Sequence, residues 1–206
     1  MSDEKKATRE DRASPEYLRL PDRIERLEVE NRFLPAANLI VATLPPGPDD
    51  LPEEHLPLAK RAVVLLSRGG DQRSAAEILV RCPVDLALML VDETGQGVGL
   101  SAAALAESSG RPHIAFRLRS WLGHHEGAAR LARQMGRHVD AGELFLRAQM
   151  LVEASHSFSK AGDRDRAIEA LVGMESTDPS YRVACVAAIR LASEASVVSF
   201  ALDRFV

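Results

Sequence analysis

Alanine stands at a fixed step of thirteen through the second half of the chain, at Ala102, Ala115, Ala128, Ala141, Ala154 and Ala167. Gly110, Gly123, Gly136 and Gly162 keep the same step, each eight residues after one of these alanines. A fixed period of this kind marks a repeat architecture, in which one small unit buries its apolar face only by stacking on the next. Thirteen residues accommodate a helix of about eleven residues, roughly 16 Å long, and a two-residue turn. Two periods make a helical hairpin. The chain therefore reads as all-α, a stack of about ten to twelve short helices in antiparallel pairs.

Within each period the apolar positions share one helix face. Ala102, Leu105 and Ala106 lie at i, i+3 and i+4, as do Ala128, Leu131 and Ala132, then Ala141, Leu144 and Phe145, then Ala167, Ala170 and Leu171. Two periods depart from the pattern. Ala115 and Leu118 are followed by Arg119, and Ala154 is followed by Ser157 and Phe158. The small residue lets neighbouring backbones approach, and the larger ones fill the groove beside it. On this reading Ala141→Leu overpacks the seam at a cost of about 1–3 kcal/mol.

Composition supports helices over sheets. Apolar residues are 46% of the 206 but aromatics only 4%, and alanine and leucine carry the apolar share, whereas sheets draw on β-branched and aromatic side chains. A net charge of −4 argues against a nucleic-acid protein, although it leaves room for a local basic face. Cys82 and Cys185 give neither a disulfide framework nor a CxxC spacing and read as buried, reduced thiols. The first residues are charged and lack the apolar core of a secretory signal, and no run approaches the roughly eighteen apolar residues of a membrane span. The expected location is cytoplasmic.

Along the chain, residues 1–15 read as a disordered polar tail. Residues 16–43 form an N-terminal helical segment, in which Ile24, Leu27, Val29, Phe33, Leu34, Leu39 and Ile40 fit a helix kinked at Pro35. Residues 44–57 hold five prolines and make a connector, either a strap across the first hairpin or a polyproline recognition motif. Residues 58–206 form the helical-repeat solenoid. Within it, Gly69-Gly70 stop a helix, Asp71 caps the next, Pro83 opens another, and Thr94–Gly99 is expected to connect two helices. Asp178-Pro179 breaks the chain before two last helices, near 180–192 and 194–205.

Residues 160–179, KAGDRDRAIEALVGMESTDP, resemble the second helix and closing turn of a tetratricopeptide repeat. Gly162 matches that family's turn glycine, Ala167 its small residue, Leu171 its bulky residue a turn later, and Asp178-Pro179 its usual ending. Phe158 stands where the first helix offers an aromatic. Gly136, Ala141, Phe145 and Ala148 share the spacing, as do Gly70, Ala75, Leu79 and Cys82. The period here is twenty-six residues against about thirty-four in that family, and its usual Trp and Leu-Gly are missing. The resemblance extends over 57–179 at most and is close over 150–179. Short helical repeats of coat and transport proteins are also similar. The resemblance implies a right-handed superhelix with a concave peptide-binding groove and no catalytic residue.

Among candidate sites, His124-His125-Glu126 spells the HHE of hemerythrin-like iron proteins, with His113 and His138 near adjacent turns. A di-iron bundle needs several inward-facing carboxylates and histidines from different helices, so turn histidines facing solvent are the expectation, with no metal and no cofactor. HExxH, G-x-S-x-G and Walker sequences are absent, and the chain is not expected to be an enzyme. Between Glu107 and Arg147 stand Arg111, Arg117, Arg119, Arg130, Arg133, Arg137 and Arg147 against Glu107, Glu126, Asp140 and Glu143. Guanidinium forks suit carboxylates, so Arg117, Arg119 and Arg133 are expected to line a basic wall that accepts an acidic peptide. Arg119 leads because it replaces an apolar repeat residue. The alternative is that these arginines decorate outer faces. Val197, Val198, Phe200, Ala201, Leu202, Phe205 and Val206 end the chain on an apolar note, and a solenoid needs a polar outer face on its last repeat. Phe200, Leu202 and Phe205 are therefore expected to cover the preceding helix or to form a partner-binding or oligomer edge.

These observations point to a protein–protein interaction adaptor or scaffold that holds a peptide or helix of another protein. The alternative is a structural subunit of a larger assembly, or a homodimer formed through the apolar C-terminal helix. Membrane partners are not expected, and nucleic acid is disfavoured because few aromatics are present for stacking.

Overall fold

A computed structural model describes residues 20–177, Pro179 and 181–193. Among these residues the chain is all-helical, with twelve α-helices and no strand. The helices are α1 (Leu20–Val29), α2 (Phe33–Val41), α3 (Leu56–Arg68), α4 (Gln72–Leu79), α5 (Val84–Thr94), α6 (Gln96–Ser108), α7 (Pro112–Trp121), α8 (His125–Gln134), α9 (His138–Arg147), α10 (Leu151–Lys160), α11 (Arg164–Val172) and α12 (Tyr181–Ser193). The chain divides into two compact units, Met1–Leu105 and Ala106–Val206. No helix among the described residues is long and apolar enough to cross a membrane.

In the second unit the repeat is regular. Helices α7, α8, α9 and α10 are each ten residues long, and three-residue turns separate them. The period of thirteen is thus ten plus three, not the eleven plus two expected from length alone. The extra turn residue comes from the cap. At the α8–α9 turn, Gly136 N–H donates to the Arg133 carbonyl and Arg137 N–H to the Ala132 carbonyl. This is a Schellman closure, and it requires a left-handed residue, here Gly136 at φ 74°. The same closure recurs at the other turns from α7 to α11. Each helix packs on its chain neighbours, from α7 against α8 through to α11 against α12.

At Gln149 the repeat lacks its glycine, yet the backbone still adopts φ 58°. Gln149 N–H donates to the Leu146 carbonyl and Met150 N–H to the Phe145 carbonyl, so the closure is kept. A side chain in this region costs about 1–2 kcal/mol. Part of that is offset by the greater unfolded-state freedom of glycine. Gln149→Gly is therefore expected to stabilise the protein by about 0.5–1 kcal/mol, read as a higher denaturant midpoint with an unchanged slope.

The alanine seam is buried as its spacing predicts. Ala102, Ala115, Ala128, Ala141, Ala154 and Ala167 all have 0% relative exposure. The positions three and four residues on complete the core, with Leu118, Leu131, Phe145, Phe158 and Leu171 almost fully covered. Ser157 fills its apolar slot because its hydroxyl donates to the Glu153 carbonyl one turn back, at 2.8 Å, so the burial leaves no unpaired group.

In the first unit, α1 packs on α2, α2 on α3, and α3 on both α4 and α5. The expected kink at Pro35 is replaced by a break at Asn31, with φ 57°. Asparagine tolerates the left-handed region, and Pro35 falls in the first turn of α2, where its missing N–H costs nothing. Thr94–Gly99 is also corrected. Only Gly95 interrupts the helices, at φ 95°, and Gly97 and Gly99 lie inside α6. The helical packing around Gly97 leaves no free space, since a Cβ there would meet the Gln72 side chain at 2.9 Å.

The proline-rich connector is a strap. Leu44 and Leu51 are buried, the Arg81 guanidinium donates to the carbonyls of Pro45 (2.7 Å) and Asp49 (2.9 Å), and Leu51 N–H donates to the Arg81 carbonyl. One arginine beyond the end of α4 thus ties down both ends of the tight bend around Gly47.

Asp71 caps α4 as expected, accepting from Ser74 N–H at 3.0 Å, and this bond holds its carboxyl below the ordinary carboxylate range. A depressed folded-state value stabilises the fold above the unfolded carboxyl value and is lost as pH falls through the folded one. Asp71→Ala is expected to cost about 1 kcal/mol at neutral pH. The gap between variant and wild type should narrow in denaturant titrations run progressively below pH 4.

Candidate functional site

The arginine-rich stretch folds into α7, α8 and α9 and the turns between them. Arg119 occupies the last turn of α7, at the place where the other repeats carry an apolar or small residue. It fits because α8 has Gly127 opposite, where a Cβ would lie 2.5 Å from Arg119 Nη1. Its Nη2 donates to Glu107 Oε2 at 2.7 Å, and only 26% of the side chain is exposed. The Nε is buried without a hydrogen-bond partner.

Arg119 forms one wall of an open cleft of about 380 Å3 at the α7–α8 turn. Arg130, His124, His125 and Glu126 line it with Gly123 at the turn. Arg130 is paired with Glu126 one turn earlier on α8, where both side chains are half-exposed or more. Exposed pairs of this kind contribute roughly 0–1 kcal/mol, so an incoming carboxylate can compete for Arg130. His125 opens α8, and its Nδ1 is buried without a partner. The cleft therefore gathers two guanidiniums, each paired with a carboxylate (Arg119 with Glu107, Arg130 with Glu126), and two imidazoles beside the positive end of a helix.

Only Arg119 of the three expected wall residues lines this cleft. Arg117 and Arg133 are exposed on α7 and α8. The Arg133 guanidinium lies 5.4 Å from the centre of the Phe145 ring. The same packing recurs nearby, with Arg137 at 4.5 Å over Phe116 and Arg166 at 4.7 Å over Phe158. The stretch's carboxylates are engaged as well. Besides Glu107 and Glu126, Asp140 accepts from Arg137 Nε at 2.6 Å and Glu143 from Arg166 Nη1 at 3.2 Å. Arg130 and the paired histidines enter the cleft without having been singled out as wall residues. Their signal in the sequence was their place beside the turn at Gly123 and the small residue Gly127, over which the Arg119 side chain lies.

Phe200, Leu202 and Phe205 lie outside the described residues. On the helix before them, Val183, Val186 and Ile189 form an apolar stripe at i, i+3 and i+6, exposed by 66%, 68% and 46%. The opposite face of α12 is covered, with Ala184 and Ala188 packed against Leu171 and Met174. Among the described residues no cluster of three or more His, Cys, Asp or Glu side chains is placed to hold a metal ion. The HHE triplet spreads instead across the turn and the first residues of α8.

The two thiols differ. Cys82 is buried, its Sγ donates to the Ile78 carbonyl at 3.4 Å, and burial pushes its pKa up to about 11. Cys185 is half-buried, not buried as expected, because it sits on the flank of α12 between its covered and exposed faces. In the native protein Cys82 should resist a thiol-specific disulfide reagent at pH 7 and react only on unfolding. Rapid modification of Cys82 under native conditions would contradict its placement.

Comparison of the chain with protein-family models, curated proteins and solved structures gave no match.

Proposed function

We propose that this chain is a protein–protein interaction module, a helical-repeat adaptor or scaffold that holds an acidic peptide or helix of a partner. The finer architecture that goes with this reading is a right-handed solenoid of antiparallel hairpins, similar to tetratricopeptide repeats. One observation carries it: the same ten-residue helix and capped turn recur from α7 to α10, each helix packed on its chain neighbours. Units that use only neighbour contacts for stability leave an extended face free for a partner. The α7–α8 cleft offers an acidic partner two guanidinium forks, Arg119 and Arg130, each shared with a resident carboxylate. No cofactor or metal enters this reading.

Two double variants test it against a candidate client. Arg119→Gln with Arg130→Gln removes the cleft guanidiniums, whereas Arg117→Gln with Arg133→Gln removes the two that lie outside it. The first pair is expected to weaken binding and the second to leave it within a factor of about two, with circular dichroism unchanged in both. Loss with the second pair alone would move the contact to the outer faces of α7 and α8.

A second reading has its own observation. The Val183, Val186 and Ile189 stripe suits a structural subunit or a homodimer joined through the C-terminal helices. Sedimentation at increasing concentration tests the homodimer form of this reading, which a constant monomer mass removes.

A further inference from the structure

The first unit carries a second basic cleft, about 310 Å3, between α1 and α2. Three guanidiniums line it, from Arg23 and Arg26 on α1 and Arg32 at the start of α2. Leu27, Pro35 and Leu39 make its apolar floor. Glu30 is the one carboxylate in its lining, bonded to Arg26 Nε at 3.0 Å and 3.5 Å from Arg32 Nη1. The left-handed turn at Asn31 brings Arg32 back beside Glu30 and so creates this arrangement. Asp22 stands in the first turn of α1, outside the cleft lining, and two further carboxylates of α1 turn toward α3. Glu28 accepts from Arg61 Nε on α3 at 2.7 Å, and Glu25 acts on the same arginine.

Among the described residues that line it, three cations face one anion, which leaves the cleft positive. Glu30 positions two of the forks, but its pairs are exposed by 38% or more on both sides. Such pairs contribute little and are readily shared with a second carboxylate. The apolar floor beside the forks sets a further requirement, for an aliphatic or aromatic group next to the acid.

We propose that the α1–α2 cleft docks a short acidic–apolar segment of another protein chain, its carboxylates on Arg23, Arg26 and Arg32 and its apolar side chain on Leu27, Pro35 and Leu39. Charge complementarity selects a foreign segment over this chain's own preceding residues. Residues 1–19 hold Asp3, Glu4, Glu10, Asp11 and Glu16 against Lys5, Lys6, Arg9, Arg12 and Arg19, a balanced set with no net attraction to a positive cleft. The site lies in the first unit and does not depend on the α7–α8 cleft.

The test is a titration of the full, nitrogen-15-labelled chain with the peptide acetyl-Glu-Leu-Asp-Phe-Glu-amide at low ionic strength. The expected result is shifts of the amide signals of Arg23, Arg26, Leu27, Arg32 and Leu39, with about tenfold weaker binding in Arg23→Gln/Arg32→Gln, where two charge-assisted bonds are lost. Arg119→Gln/Arg130→Gln should bind the peptide at this site as wild type does, which keeps this result separate from the fate of the second-unit cleft. No shift at Arg23, Arg26, Leu27, Arg32 and Leu39, or equal affinity at this site in the Arg23/Arg32 variant, overturns the proposal, whatever the amides of the α7–α8 cleft do. Equal response to inorganic phosphate would reassign the cleft to small anions. Binding that appears only when residues 1–19 are deleted would reassign it to this chain's own segment.

Discussion

Replacing Phe158 by alanine is expected to cost about 3–5 kcal/mol of folding stability, the largest effect of any substitution considered. The ring has 0% exposure in α10. It lies against α9 at Gly142, where a Cβ would meet three of its carbons at 2.6–2.7 Å, and Arg166 stacks on it at 4.7 Å. Truncation leaves a cavity between backbones already in close approach, so the site collapses poorly. A fall in the thermal midpoint of roughly 6–20 °C should follow. The same geometry couples Phe158 to Gly142. In the wild type, Gly142→Ala forces the ring aside and destabilises. In the Phe158→Ala background the methyl has room, and the helix preference of alanine over glycine, about 0.8–1 kcal/mol, should make the substitution favourable. Additive effects in this double-mutant cycle would contradict the assigned contact.

The second large effect is expected at Ala141. It is fully buried in α9, which packs on both α8 and α10. Three added carbons have no space at native packing density, so Ala141→Leu should cost about 1–3 kcal/mol through off-rotamer side chains and backbone shifts. A midpoint equal to wild type would mean that the alanine of the repeat does not face the seam.

The repeat was legible because it is set by sterics. A fully buried small residue every thirteen positions and a left-handed residue closing each turn leave direct marks in the sequence. Gln149 shows the limit of that reading: it adopts the glycine conformation because the turns on both sides fix the register, and a side chain alone does not disclose that. Asn31 and Pro35 show another limit. Proline attracted the expected break, but the chain breaks four residues earlier, at Asn31, and this places Pro35 in the first turn of α2. The arginines were harder still. Their number was visible, yet whether a guanidinium lies on a phenyl ring, as Arg133 and Arg137 do, or lines a cleft, as Arg119 does, depends on residues across the helix pair such as Gly127 and Phe116. The Arg23, Arg26 and Arg32 cluster escaped notice because it exists only once Asn31 reverses the chain.

The most direct test of the interaction account is affinity capture from the source cell with three baits: the intact chain, Arg119→Gln/Arg130→Gln, and Arg117→Gln/Arg133→Gln. The account predicts a protein with an acidic segment that is retained by the intact chain and the Arg117/Arg133 variant and lost from the Arg119/Arg130 variant. A partner held equally by all three, or none held by any, would contradict it.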